Sequence, residues 1–144
     1  MSTDLDRYTK AQEESYATVL TELEQASKQT HWMWFIFPQL KGLGRSSTAQ
    51  FYALADRAEA RAYLEHPILG ERLRTCTRAI LCHARTRTAH EILGSPDDLK
   101  FRSCMTLFSA VAPDEAIWRN ALDAFFGGKA DPLTLELLGK SVDA

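Results

Sequence analysis

Ser95-Pro96-Asp97-Asp98-Leu99-Lys100-Phe101-Arg102-Ser103-Cys104-Met105-Thr106-Leu107-Phe108 decides the fold class of this chain. It opens with a serine able to cap and a proline whose missing N–H costs nothing in a first turn. Two acids then complement the positive end of a helix dipole. The apolar residues that follow do not alternate with period two, so the stretch reads as a helix and not as a strand. Ser103 and Thr106, three residues apart, share one face of that helix, and Lys100 lies close to it.

The same signals recur outward in both directions. Upstream, Thr88–Leu93 reads as a short helix stopped by Gly94, and Pro67 fits the first turn of a helix with Ile68, Leu69, Leu73, Cys76, Ile80 and Leu81 inward. Asp56 can cap Arg57–Glu65, with Ala58, Ala62, Tyr63 and Leu64 inward, and Ser46 or Ser47 can cap a helix carrying Phe51 and Tyr52. The first helix spans roughly Asp4 to Ser27, where Leu5, Tyr8, Gln12, Tyr16, Val19, Leu20 and Leu23 recur at three- and four-residue steps. Downstream, Pro113-Asp114-Glu115 opens a helix closed by Gly127-Gly128, and Asp131-Pro132 opens the last one. Asn-Gly and Asp-Gly hairpin turns are absent, as are linkers and repeats. These readings give an all-α fold: one domain over residues 1–144, a compact multihelical array of about seven or eight short helices and not a four-helix bundle.

Composition narrows the function classes. The 144 residues are 45% hydrophobic and 25% charged, ordinary for a globular protein. No apolar run reaches the roughly 20 residues of a membrane span, and Met1-Ser2-Thr3-Asp4-Leu5-Asp6 is polar and acidic, unlike a secretory signal. A cytoplasmic protein is therefore expected. Cys76, Cys82 and Cys104 form no C-x-x-C and are expected to be small buried hydrophobes in helices. His90-Glu91-Ile92-Leu93-Gly94 lacks the second histidine of a zinc-protease helix, so no metal or other cofactor is expected. The net charge of −2 argues against general nucleic-acid binding. Arg57–Arg102, with nine Lys/Arg against six Asp/Glu, is a mildly basic middle that suits a small anion, although helix arginines are also simply solvated.

Chemistry concentrates in His31-Trp32-Met33-Trp34-Phe35-Ile36-Phe37-Pro38-Gln39-Leu40. Aromatics this dense must be largely buried. Helical geometry nevertheless forbids Trp32, Trp34 and Ile36 from sharing one face with Met33, Phe35 and Phe37, so part of the run must point away from the core. Two readings stand. Trp32 and Trp34, with His31 and Gln39 beside them, line a pocket for a flat heterocycle, or they are core residues whose polar neighbours bond backbone carbonyls. Lys41-Gly42-Leu43-Gly44-Arg45-Ser46-Ser47 follows, where Gly44, Arg45 and Ser46 can cradle a phosphate or simply form a turn and a cap. Asp97 and Glu59 are the candidate catalytic carboxylates. The plainer reading makes Asp97 a first-turn acid and Glu59 an exposed helix acid.

The aromatic run also carries a resemblance. With Ala11-Gln12, Tyr16, Lys28, Gly42-Leu43-Gly44, Tyr52, Glu59-Ala60, Tyr63-Leu64, His66-Pro67, Arg72-Leu73, Asp97, Lys100, Ser103 and Asp131, the chain resembles the bacterial domain-of-unknown-function 1810 family, often labelled calpastatin. The resemblance implies a multihelical fold and supplies no activity; the calpain-inhibitor label does not fit, because such an inhibitor would be a long disordered chain. Gln25-Ala26-Ser27 and Leu93 depart from the family pattern. More distantly, Ser47–Tyr52, Ala62–Pro67 and Leu93–Asp97 are similar in order to signals of the YbiA-like (NADAR) N-glycosidases, whose Trp-Gly pair is missing.

Together these readings make an N-glycosidase-like hydrolase one expectation. Its ligand would be a small, phosphorylated or nucleoside-like compound such as an ADP-ribose derivative. Catalysis would fall to Asp97 or Glu59, and binding to Lys28, His31, Trp32, Trp34, Gln39, Gly44, Arg45, Ser46, Lys100 and Ser103. The other expectation is a non-catalytic nucleotide- or partner-binding module.

Overall fold

In a computed structural model the described residues are 5–141, so the polar Met1–Asp4 segment lies outside them. They form α1 (Asp6–Glu24), α2 (Met33–Ile36), α3 (Ser47–Phe51), α4 (Arg57–Glu65), α5 (Leu69–Leu81), α6 (Ala89–Leu93), α7 (Asp97–Val111), α8 (Ala116–Phe126) and α9 (Pro132–Ser141). No strand occurs among the described residues, only an isolated bridge between Leu40 and Leu54. The fold is all-α, as the capping signals require. Among the described residues there are nine helices, because the aromatic run itself winds one turn as α2.

The caps explain most boundaries. Ser46 accepts a hydrogen bond from the Ala49 N–H at 3.0 Å, and Asp56 one from the Glu59 N–H at 2.9 Å. Thr88 and Glu91 close a reciprocal capping box on α6, which Gly94 ends at a φ of 81°. Two starts differ from expectation. Pro67 lies in a turn ahead of α5, and the His66 imidazole caps that helix, its Nδ1 accepting from the Ile68 and Leu69 N–H groups. Pro96 occupies the N-cap of α7, so Ser95 is left exposed and does not cap.

α7 is the central helix, packed against α4, α6, α8 and α9, while α5 joins α1, α4 and α8. Two aromatic chains run through the core: Trp32 near Phe37 with Phe37 edge-on to Phe101 at 5.0 Å, and Tyr8 edge-on to Tyr63 at 5.0 Å. Tyr63 in turn approaches Phe108, which meets Trp118 at 5.6 Å. Burying one such side chain is worth about 1.5–3 kcal/mol, with about 0.5–1.5 more per favourable ring pair. Cys76 and Cys104 are buried as expected, whereas Cys82 caps the exposed C-terminal end of α5. Ala58 and Ile68 also turn outward, so the inward faces of α4 and α5 are narrower than their apolar spacing suggests.

Candidate functional site

One residue of the aromatic run escapes the core. Trp32, Met33, Phe35, Ile36 and Phe37 are buried, and Trp34 alone among them is half-exposed. The one-turn α2 cannot turn six consecutive large residues inward, and Trp34 is the one directed elsewhere. It lines a hollow of about 320 Å³ with Lys28, Gln29, His31, Met33, Leu93, Ser95, Pro96 and Asp97. Met33, Leu93, Pro96 and the indole form its apolar walls, and the polar residues come from the loop after α1 and from the start of α7.

Asp97 is the hinge of the electrostatics. One carboxylate oxygen pairs with Lys28 Nζ at 2.9 Å and the other faces Lys100 Nζ at 3.7 Å. The two ammonium groups differ in kind. Lys28, with its side chain only 7% exposed, also donates to the Thr30 carbonyl at 2.7 Å and sits 5.1 Å from the Trp32 ring centre. Lys100 is 27% exposed and lies 5.2 Å from the Trp34 ring centre. Lys28 therefore serves as a strut, while Lys100 lies more openly beside the indole. Lys28 and Asp97 are the oppositely charged residues of the lining, Lys100 stands just outside it beside Asp97 and the indole, and His31 is exposed at the rim.

Sequence reasoning missed the residue that shapes this rim. Glu22 of α1 is buried and accepts hydrogen bonds from the Gln29 N–H (2.9 Å), the Thr30 N–H (3.2 Å), the Thr30 hydroxyl (2.8 Å) and Trp32 Nε1 (2.8 Å). Burial alone raises this carboxyl, but the hydrogen bonds from Trp32, Gln29 and Thr30 outweigh it and hold the group below the ordinary carboxylate range. Lys28 N–H to the Ile92 carbonyl, at 2.9 Å, fastens the same loop to α6. The one available signal was an acid embedded in an apolar helix face, beside Leu23.

The remaining expected site residues are distributed elsewhere. Trp32 is 1% exposed, with its N–H committed to Glu22, and has no surface for a ligand. Gln39 and Gly44 share Trp34 with Tyr52 around a separate cleft of about 10 Å³, room for no more than one water. Gly44 is explained by packing, because a Cβ there would lie 2.4 Å from the Ala49 Cβ. Ser46 is committed to capping the five-residue α3, and Arg45 is exposed. Ser103 donates to Asp131, and Thr106 accepts from the Asp131 N–H, so their shared face clasps α7 to the start of α9. Glu59 accepts from the Ala55 N–H and pairs with Arg7 at 3.6 Å, sharing neither partner nor hollow with Asp97. Lys28, His31, Trp34, Asp97 and Lys100 are thus the expected residues that the fold brings together.

Among the described residues no group of three His, Cys, Asp or Glu side chains forms a metal site, and no helix is long and apolar enough to cross a membrane. The chain is similar to the conserved hypothetical protein Rv1873 from Mycobacterium tuberculosis, known from its crystal structure. Identity is 43% and the TM-score 0.91, over 94% of this chain and 96% of that one. No curated protein matches it. Residues 2–138 match the model described as protein of unknown function (DUF1810), and the chain belongs to that family.

Proposed function

We propose that the Trp34 hollow binds a small nucleoside-like ligand and that Asp97 acts there on an N-glycosidic bond. The observation that supports this most is a half-exposed indole and a carboxylate lining one hollow of about 320 Å³, with the loosely held Lys100 ammonium beside both of them. That volume is at the low end for a ligand site, enough for a base and its sugar but not for a whole dinucleotide. The base stacks on Trp34, and Lys100 meets a phosphate or the electron-rich edge of the ring. The Asp97 carboxylate faces the anomeric carbon as positive charge develops there. The C1′–N bond breaks with its electron pair going to the nitrogen, which takes a proton from His31 at the rim, and water adds to C1′ as its released proton passes to the Asp97 carboxylate. The order of sequence signals at Ser47–Tyr52, Ala62–Pro67 and Leu93–Asp97, which resembles that of the NADAR N-glycosidases, is in line with this reading.

A non-catalytic binding module has one observation in its favour. Both Asp97 oxygens already face lysines, which dampens the carboxylate's action on a substrate. One experiment separates the two. The protein is incubated with ADP-ribosylated guanosine, nicotinamide mononucleotide and simple ribonucleosides, following base release by chromatography and melting temperature by calorimetry. Base release abolished in Asp97→Asn supports the hydrolase, and a raised melting temperature without release supports the binding module. Neither effect with any of these compounds refutes the proposed site.

A further inference from the structure

Gln12, Tyr16, Pro67 and Arg72 stand among the motif residues of the sequence, and the Trp34 hollow uses none of them. They meet at a second hollow of about 300 Å³, between the middle of α1 and the first turns of α5, lined by Tyr16, Pro67, Ile68, Glu71, Arg72 and Thr75. Arg72 is preset there. Its guanidinium lies 4.6 Å from the Tyr16 ring centre and donates to Gln12 Oε1 at 3.3 Å. Gln12 is 1% exposed and is itself fixed by donating to the Phe35 carbonyl at 2.6 Å and to the Tyr63 hydroxyl at 3.0 Å. The opposite wall is equally fixed, because the His66 ring accepts the Ile68 and Leu69 N–H groups and so holds the turn that presents Pro67 and Ile68.

The chemistry of this lining is specific. A guanidinium with a fixed plane matches a carboxylate, and the Tyr16 phenol, raised by burial, stays a neutral donor beside it. Glu71 on the same rim would repel a simple anion, but it complements an ammonium group. Ile68, a large apolar side chain 45% exposed, borders the hollow and offers a surface to cover. We infer that this hollow binds a small zwitterion of the α-amino-acid type with an apolar side chain. Its carboxylate sits on Arg72, its ammonium on Glu71 and its side chain against Pro67 and Ile68. The inference is independent of what the Trp34 hollow does.

The test is a titration of the full chain, followed by ¹⁵N–¹H shifts, with L-leucine, 4-methylpentanoate (no ammonium) and 3-methylbutylamine (no carboxylate). L-Leucine is expected to shift Tyr16 and residues 68–75, and each analogue to bind about 10-fold more weakly for the loss of one charge-assisted contact. Glu71→Gln, at an exposed position that leaves the fold intact, is expected to bring leucine binding down to that of 4-methylpentanoate. Arg72→Lys is expected to weaken leucine and 4-methylpentanoate alike. Absence of leucine binding, analogues that bind as well as leucine, or an unaltered Glu71→Gln variant would each overturn the inference.

Discussion

Replacing Glu22 is the sharpest probe of how the site is built. Four donors converge on its carboxylate, and one of them, Trp32 Nε1, lies in the buried interior. Leaving a buried donor unmatched costs about 1–3 kcal/mol, and each half-buried donor costs less because water can replace the lost partner. Glu22→Leu is therefore expected to lose about 3–5 kcal/mol, a large part of the roughly 5–15 kcal/mol that a typical domain has. In Glu22→Gln the amide oxygen can take the three donors that meet Oε1, while the amide NH2 in place of Oε2 can only donate to the Thr30 hydroxyl; charge assistance and that one acceptor are lost, an expected cost of about 1–2 kcal/mol.

The pH dependence fixes the mechanism. The folded carboxyl titrates below its ordinary value of 4.5, so its contribution is whole above that pH and is lost as pH falls through the folded value. Denaturant unfolding of wild type and Glu22→Gln at pH 7 and at pH 3 should show a gap in stability that is widest at pH 7 and narrows in acid. Glu115, lowered chiefly by its hydrogen bonds from Arg74, titrates in both proteins and cancels from the difference. A gap that is zero at pH 7, or one that does not change with pH, would refute the role assigned to this carboxylate.

The two tryptophans should separate cleanly. Trp32→Ala is expected to lose about 3–5 kcal/mol on denaturant unfolding, whereas Trp34→Ala, at a half-exposed position, should lose clearly less and instead abolish ligand-induced stabilisation. The glycines should split by sign. Gly70→Ala places a Cβ 2.0 Å from the Leu64 carbonyl oxygen and should destabilise by at least about 1–3 kcal/mol, while Gly139→Ala meets nothing within 4 Å and should stabilise α9 by about 0.5–1 kcal/mol, both read from unfolding midpoints.

Local signals made the helices legible, and long-range partners made the site partly illegible. Asp56, Thr88, Gly94 and Gly127 act within one turn of their own position, and the boundaries they set can be read from the sequence. The pairing of Ser103 and Thr106 was visible as a shared face. Their partner Asp131 arrives from another helix start, so the same two residues read equally well as ligand groups or as a clasp. Glu22 was hidden for the same reason. A glutamate on α1 looks solvated until the loop behind it folds back and presents four donors. Lys28, His31, Trp34, Asp97 and Lys100 were legible as candidates because polar side chains stood out beside aromatic or apolar runs. That they meet, while Glu59 and Arg45 do not, is decided by how α2 and the loop after α1 dock against the start of α7.

Why Trp34 and not Trp32 faces the hollow follows from the same docking. The indole N–H of Trp32 has a carboxylate acceptor on α1, and its ring has the Lys28 ammonium beside it. Both polar demands of the side chain are met inside the protein, and burial then costs no lost hydrogen bond. With Trp32 fixed inward, the one-turn helix leaves Trp34 near the start of α7, where Lys100 approaches its ring. Glu22 thus acts on the hollow from behind: by anchoring residues 29–32 it holds His31 at the rim and sets the rotation of α2. A hollow whose walls are tied this way loses little conformational entropy when a ligand enters. It follows that Glu22→Gln should weaken ligand binding at the Trp34 hollow even though Glu22 does not itself line it.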